Sequence, residues 1–216
     1  MDPDPHHCPL KQIDSSVVVV PTGRNTFLAL ASFLMQELLK SSAPWTPGTL
    51  DGKINGFITI LDRFDGLSGG GGPEVIEEVW DRLGDSGLGT PGVELVVSGI
   101  PGNAVSGGFN IMIAQAIEFI DVPESSIGVV LSIKGCVFAL ALPTEERPAF
   151  LFCSNDSGSG RASLLEGPLP EIILHLESLM SSMEDDENLL SVVYSSFEFS
   201  VVVLRGSERE REDTGH

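Results

Sequence analysis

Ile127-Gly128-Val129-Val130-Leu131-Ser132-Ile133 and Cys136-Val137-Phe138-Ala139-Leu140-Ala141-Leu142, joined by Lys134-Gly135, are followed by Ala149-Phe150-Leu151-Phe152, which runs straight into Cys153-Ser154-Asn155-Asp156. Short apolar runs rich in β-branched and aromatic residues, bounded by Gly and Pro, read as consecutive strands. The third strand ends in polar residues, and their identity bears on what the chain can do.

Upstream, apolar residues recur between Arg24 and Lys40 at Phe27, Leu28, Leu30, Ala31, Leu34, Met35, Leu38 and Leu39, the spacing of a helix with a wide buried face. A second helix is predicted from Leu50 to Phe64, and a short third one after Pro73 through Val75, Ile76, Val79 and Trp80. Val17 to Val20 and Val93 to Val97 read as strands, Pro101 to Gly108 as loop, and Ile111 to Phe119 as either a strand or a short helix. Downstream, Pro170 to Met183 has helical periodicity in Ile172, Ile173, Leu176, Leu179 and Met180. Asn188 to Ser195 reads as helical, and Phe197 to Leu204 alternates towards a last strand. The class expected is α+β, with early helices packed on an antiparallel sheet and late helices added. The divisions expected are a flexible N-terminus over 1–16, one domain over 17–204 and a disordered charged tail over 205–216.

A chain of 216 residues, 42% apolar, suits one domain with a real core. Its apolar runs are too short to span a bilayer. Met1 is followed by Asp2, Pro3 and Asp4, the opposite of a basic signal start, so a soluble protein of the cytoplasm or nucleus is expected. A formal charge of −19 repels phosphate backbones and argues against nucleic acid as a partner. Cys8, Cys136 and Cys153 are irregularly spaced, with neither a disulfide framework nor a zinc pattern. Gly69 to Gly72 follows no apolar strand and precedes no Gly-Lys-Ser or Gly-Lys-Thr, so it is no phosphate cradle. No cofactor or metal is expected.

In its order of elements the chain resembles the ubiquitin-specific cysteine protease domain at the N-terminus of herpesvirus large tegument proteins. That family is papain-like and removes ubiquitin from proteins. Lys11-Gln12-Ile13-Asp14 is similar to its oxyanion-hole segment, and Gln12 lies fourteen residues before Thr26, as the family's Gln lies before its nucleophile. Gly23-Arg24-Asn25-Thr26 is similar to Gly-x-Gln-Cys, which places Thr26 at the nucleophile position. Trp45 and Leu50-Asp51, the Val93 to Ser98 strand, the Gly128 to Leu142 hairpin and Ala162 to Leu165 before a helix agree with the same order. Leu151-Phe152-Cys153-Ser154-Asn155 falls on the family's Phe-Asp-x-His. The resemblance implies a papain-like fold, a viral or virus-derived origin, and ubiquitin or a ubiquitin-like protein as partner. A virion tegument location follows if the source is viral.

The chemistry implied at those positions is gone. A cysteine protease needs a thiolate beside an imidazole and a third group that fixes the ring. The matching positions hold Thr26, Asn155 and Cys153, and Asn cannot accept and return a proton near neutral pH. The expectation is a pseudoenzyme that binds without cutting, with Gln12 as a relic of the oxyanion hole or merely a loop hydrogen-bonding group. Asn25 and Asn155 could bond each other or the backbone and fill the vacated polar site. The alternatives are an assembly module without ubiquitin affinity, or a residual hydrolase using Cys153 or Cys8. His6, His7 and Cys8 are expected to be incidental, Cys136 a packed thiol, and His175 a residue on the solvated side of its helix.

Overall fold

The computed structural model describes residues 10–20, 26–41, 44–60, 76–103, 107–120, 125–133, 136–154, 161–182 and 196–205. In chain order the elements are β1 (Lys11–Val18), α1 (Thr26–Lys40), α2 (Pro47–Ile58), α3 (Ile76–Asp85), β2 (Val93–Asn103), α4 (Gly108–Glu118), β3 (Ser126–Ile133), β4 (Cys136–Ala141), β5 (Ala149–Cys153), β6 (Arg161–Gly167), α5 (Leu169–Ser182) and β7 (Ser196–Leu204). The strands form one seven-stranded sheet in the order β1-β6-β5-β4-β3-β7-β2. Every neighbouring pair is antiparallel. The class is α+β and the fold papain-like.

The central strands are apolar at nearly every position because the sheet is covered on both faces. Ile13, Val130, Val137, Ala139, Ala141, Phe150, Phe152, Ala162 and Leu164 pack with α1, α2 and α3. Their alternates Val129, Leu131, Phe138, Leu140, Leu151 and Leu165 pack with α4 and α5 on the other face. Side chains alternate sides along a strand, so each residue of β4 and β5 belongs to one helical layer or the other.

Helix α1 is the inner helix of the first layer, with Ala29, Leu30, Leu34, Met35 and Leu38 fully buried. Ala, Leu and Met hold a helix at little entropic cost, and their spacing turns a broad stripe onto the sheet. Gly128 lets it lie close, since a side chain there would overlap the Met35 thioether. The C-terminal carbonyls of α1 are held by Arg147, whose Nη1 donates to Leu38 O at 2.6 Å and Leu39 O at 2.8 Å. These are orphan acceptors of a helix end, and a cation there also opposes the helix dipole. The Gln36 amide oxygen accepts from the Thr90 backbone N–H at 2.6 Å, which fixes the turn before β2.

Helix α2 starts where Pro47 follows Thr46, whose hydroxyl accepts from Thr49 N at 3.1 Å. Its Asp51 ties the helix to the edge strand β1. Ser15 Oγ donates to the carboxylate at 2.7 Å and Ser16 N at 2.9 Å, and Ser16 Oγ donates to the second oxygen. Lys53 pairs with Glu37 of α1. On the other face, α4 begins at Gly107, which has φ +83°. Gly108 then passes so close to the Asn103 carbonyl that a Cβ would overlap it. Among the described residues no helix is long and apolar enough to cross a membrane.

Several sequence expectations shift. The chain is already in β1 at Lys11, so the flexible stretch expected over 1–16 does not include 11–16. The reason is the alternation of Ile13 and Ser15, both buried, with exposed neighbours; serine in an inward position masks the pattern. The loop expected from Pro101 is strand as far as Asn103. The segment from Ile111 is helical, and α2 runs from Pro47 to Ile58. The sheet is a middle layer with helices on both sides, and the strand expected over Val17–Val20 is the end of a longer β1 that runs from Lys11 to Val18. The Gly69–Gly72 run, the expected 188–195 helix, and residues 1–9 and 206–216 lie outside the described residues.

Two measurements check this framework. Arg147→Ala leaves the last α1 carbonyls without their donor and is expected to cost about 1–3 kcal/mol, read as a lower urea midpoint. The hydrogen bonds from Ser16 and Ser15 hold the Asp51 carboxyl below its ordinary range. A lowered folded-state pKa contributes stability that is complete above the unfolded value of about 3.9 and is lost as pH falls through the folded value. Asp51→Asn is therefore expected to lower stability at neutral pH and to lose less on acidification below about pH 4 than the wild type does.

Candidate functional site

The end of the sheet that receives the N-terminus of α1 follows from two anchors. Arg147, just ahead of β5, grips Leu38 and Leu39, so the C-terminus of α1 sits where β5 begins. Met35 lies over Gly128, which pairs with Ala141. Nine residues back from Met35, about 13 Å along the helix axis, is Thr26. Four residues along β3, a similar rise, lead to Ser132, which pairs with Val137. Helix α1 thus runs antiparallel to β5, and Thr26 comes to the end where β5 finishes.

Immediately after β5, one residue beyond Cys153 and two beyond Phe152, comes Ser154. Ser154 is fully buried, its Oγ donates to Val137 O at 2.8 Å, and its backbone N–H reaches the same carbonyl at 3.2 Å. Thr26, the first residue of α1, is 2% exposed. Thr26 is thus buried at the start of α1, and the Ser154 hydroxyl beyond β5 serves a strand carbonyl.

Cys153 points the other way. It packs with the apolar layer of α4 and α5, as Leu151 does, while Phe152 packs with α1. Gln12 lies on the same side as Cys153, since its neighbour Ile13 packs beneath α1. Along the sheet Gln12 pairs with Leu165, which pairs with Leu151, and Cys153 pairs with Ser163. Gln12, Leu151, Cys153, Ser163, Leu165, His175 and Leu179 line one cavity of about 40 Å³ between the sheet and α5. The Gln12 amide Nε2 donates to Asp14 Oδ1 at 2.8 Å along the strand.

Of the four sequence-derived positions, Gln12 and Cys153 come together, Thr26 stands with α1 across the sheet, and Asn155 lies outside the described residues, as do Asn25 and Cys8. The expected convergence of Gln12 and Cys153 on the start of α1 is not what their strand faces give. Two residues at this site were missed. His175, expected on the solvated side, is half-buried and lines the cavity with Cys153. Its place three residues after Ile172 and four before Leu179 marks the flank of the apolar stripe. Ser154 carried no signal, because every position of β5 before it is apolar. Cys136, half-buried at the start of β4, has its thiol pKa pushed up by burial. Among the described residues no three His, Cys, Asp or Glu are grouped to hold a metal.

No protein-family model matches the sequence, and no curated protein matches it. A solved structure does match in fold: the ubiquitin-specific protease encoded by a murine cytomegalovirus tegument protein, determined in complex with a ubiquitin-based suicide substrate. The TM-score is 0.51 at 12% identity, over 93% of this chain and 89% of that one. At this identity the likeness is one of fold.

Ser154→Ala tests the corner. It leaves the buried Val137 carbonyl with one donor fewer and is expected to cost about 1 kcal/mol in urea unfolding.

Proposed function

We propose that this chain is a non-hydrolysing relative of the viral ubiquitin-specific proteases, acting by binding ubiquitin or a ubiquitin-like protein. The observation that carries the reading is that the nucleophile position of the resemblance, the first residue of α1, holds a buried Thr26, while β5 runs out into a buried Ser154. A threonine hydroxyl is a poor nucleophile without a base, and serine supplies none. The adjoining segments do not make up the loss, because 21–25 and 155–160 contain neither cysteine nor histidine. Cys153, the thiol nearest in sequence, packs on the opposite face.

Binding in place of cutting is supported by the retained architecture. The likeness to a protease seen with a ubiquitin-based substrate runs through 93% of this chain. A protease-like fold over that length, with Thr26 in place of the nucleophile, is what supports a reading of holding a protein without hydrolysing it. The net charge of −19 suits a basic partner surface and steers its approach.

Titration with fluorescently labelled ubiquitin tests the binding half. Saturable binding in the micromolar range is expected, weakening with salt. Absence of binding at high micromolar concentration contradicts it and leaves the assembly-module reading. Ubiquitin carrying a C-terminal electrophile tests the other half: neither the wild type nor Thr26→Cys is expected to be labelled, because the adjoining segments 21–25 and 155–160 supply no imidazole. Labelling of the wild type that is abolished by Cys153→Ser or Cys8→Ser would establish a hydrolase-like thiol instead.

A further inference from the structure

The cavity between the sheet and α5 gathers more reactive chemistry than packing requires. Cys153 is half-buried at the end of β5, with Ser163 beside it on β6 and Gln12 two strands away. His175 enters from α5, and Leu151, Leu165 and Leu179 complete the wall. A structural cysteine in an apolar layer has apolar neighbours. Here three of the six other lining residues carry hydrogen-bonding side chains, one of them an imidazole. A partly exposed thiol beside a histidine is the environment in which thiolates form and react.

The cavity is small and partly open, with about 40 Å³ of space for water-sized molecules. A water needs about 10–15 Å³ of occupied space, so a molecule as small as hydrogen peroxide can enter. Gln12 and Ser163 offer the donors and acceptors that would hold its two hydroxyls. Carboxylates near this site in sequence are Asp14, bonded to Gln12 on β1, and Glu171 and Glu177 on α5, of which Glu171 lies about one turn from His175.

We propose that this cavity is a hydroperoxide-reactive thiol site, with Cys153 as the nucleophile and His175 as its base. His175 takes the thiol proton. The Cys153 sulfur attacks one oxygen of hydrogen peroxide, the S–O bond forms as the O–O bond breaks, and sulfur is oxidised by two electrons to the sulfenic acid. The departing hydroxide takes the proton back from the imidazolium and leaves as water. Thiol and peroxide are thereby converted to sulfenic acid and water, with no other reactant. The site lies on the opposite face of the sheet from α1, the helix that carries Thr26.

Cys136 provides the internal comparison, since burial keeps its thiol protonated. In a Cys8→Ser background, the folded chain is treated with hydrogen peroxide, sulfenic acid is trapped with dimedone, and each site is quantified by peptide mass. Cys153 is expected to react at least about ten-fold faster than Cys136, and the preference should vanish in urea. His175→Gln, with folding checked by circular dichroism, is expected to slow Cys153 about ten-fold. It should also remove an inflection in the pH–rate profile in the imidazole range of about pH 6–7. Equal rates for the two cysteines in the folded chain overturn the proposal. So does a His175→Gln protein with unchanged rate and profile. If that variant does not fold, the folded-to-unfolded ratio in the wild-type pair decides alone.

Discussion

The alternation of side chains along β5, clamped between two helical layers, is the constraint on which the rest depends. Phe150 and Phe152 are committed to the α1 layer and Leu151 to the α5 layer. Slipping the strand by one residue would exchange every one of these, exposing two phenylalanine-shaped voids on one face and overfilling the other. Such errors cost several kcal/mol each in a packed core. Because the strand cannot slip, Cys153 has no choice of face. The thiol goes to the α5 layer, and Ser154 after it is bonded to the Val137 carbonyl.

That constraint separates two chemistries that the sequence places side by side. Residues 152 to 154 span barely 7 Å of strand (about 3.4 Å per residue), yet adjacent ones serve different sites. Just beyond β5, Ser154 is buried and donates its hydroxyl hydrogen to the Val137 carbonyl. On the α5 face, a thiol, an imidazole and an amide meet around a small cavity. Arg147 makes the arrangement directional, because its grip on the end of α1 sets which end of the sheet Thr26 reaches. Asp51 adds the edge strand to the same rigid body through Ser15 and Ser16.

Much of this was legible in the sequence, and the gaps have physical causes. The strands β3, β4 and β5 and the helices α1 and α5 follow from apolar runs and helical periodicity, and the structure places them within a few residues of the expected bounds. The first part of β1 was hidden because Ser15 occupies an inward position, bonded to Asp51, so the apolar alternation broke after Ile13; only its Val17–Val18 end read as strand. The site was legible as a loss of thiol and imidazole near Thr26 but not in its geometry. A strand that is apolar on both faces, as Ala149 to Phe152 is, carries no polarity mark to say which side its last residues take. His175 was misplaced for a related reason: it lies at the edge of the α5 stripe, where inward and outward positions differ by one helical step.

The most direct test of the account is the environment of Cys153 by nuclear magnetic resonance. Nuclear Overhauser contacts from the Cys153 β-protons to the Leu179 methyls and the His175 ring, with none to Ala29 or Leu30 of α1, are the expected result. Contacts from Cys153 to α1 side chains, with Ser154 turned to α5, would contradict it and return the thiol to the corner beside Thr26.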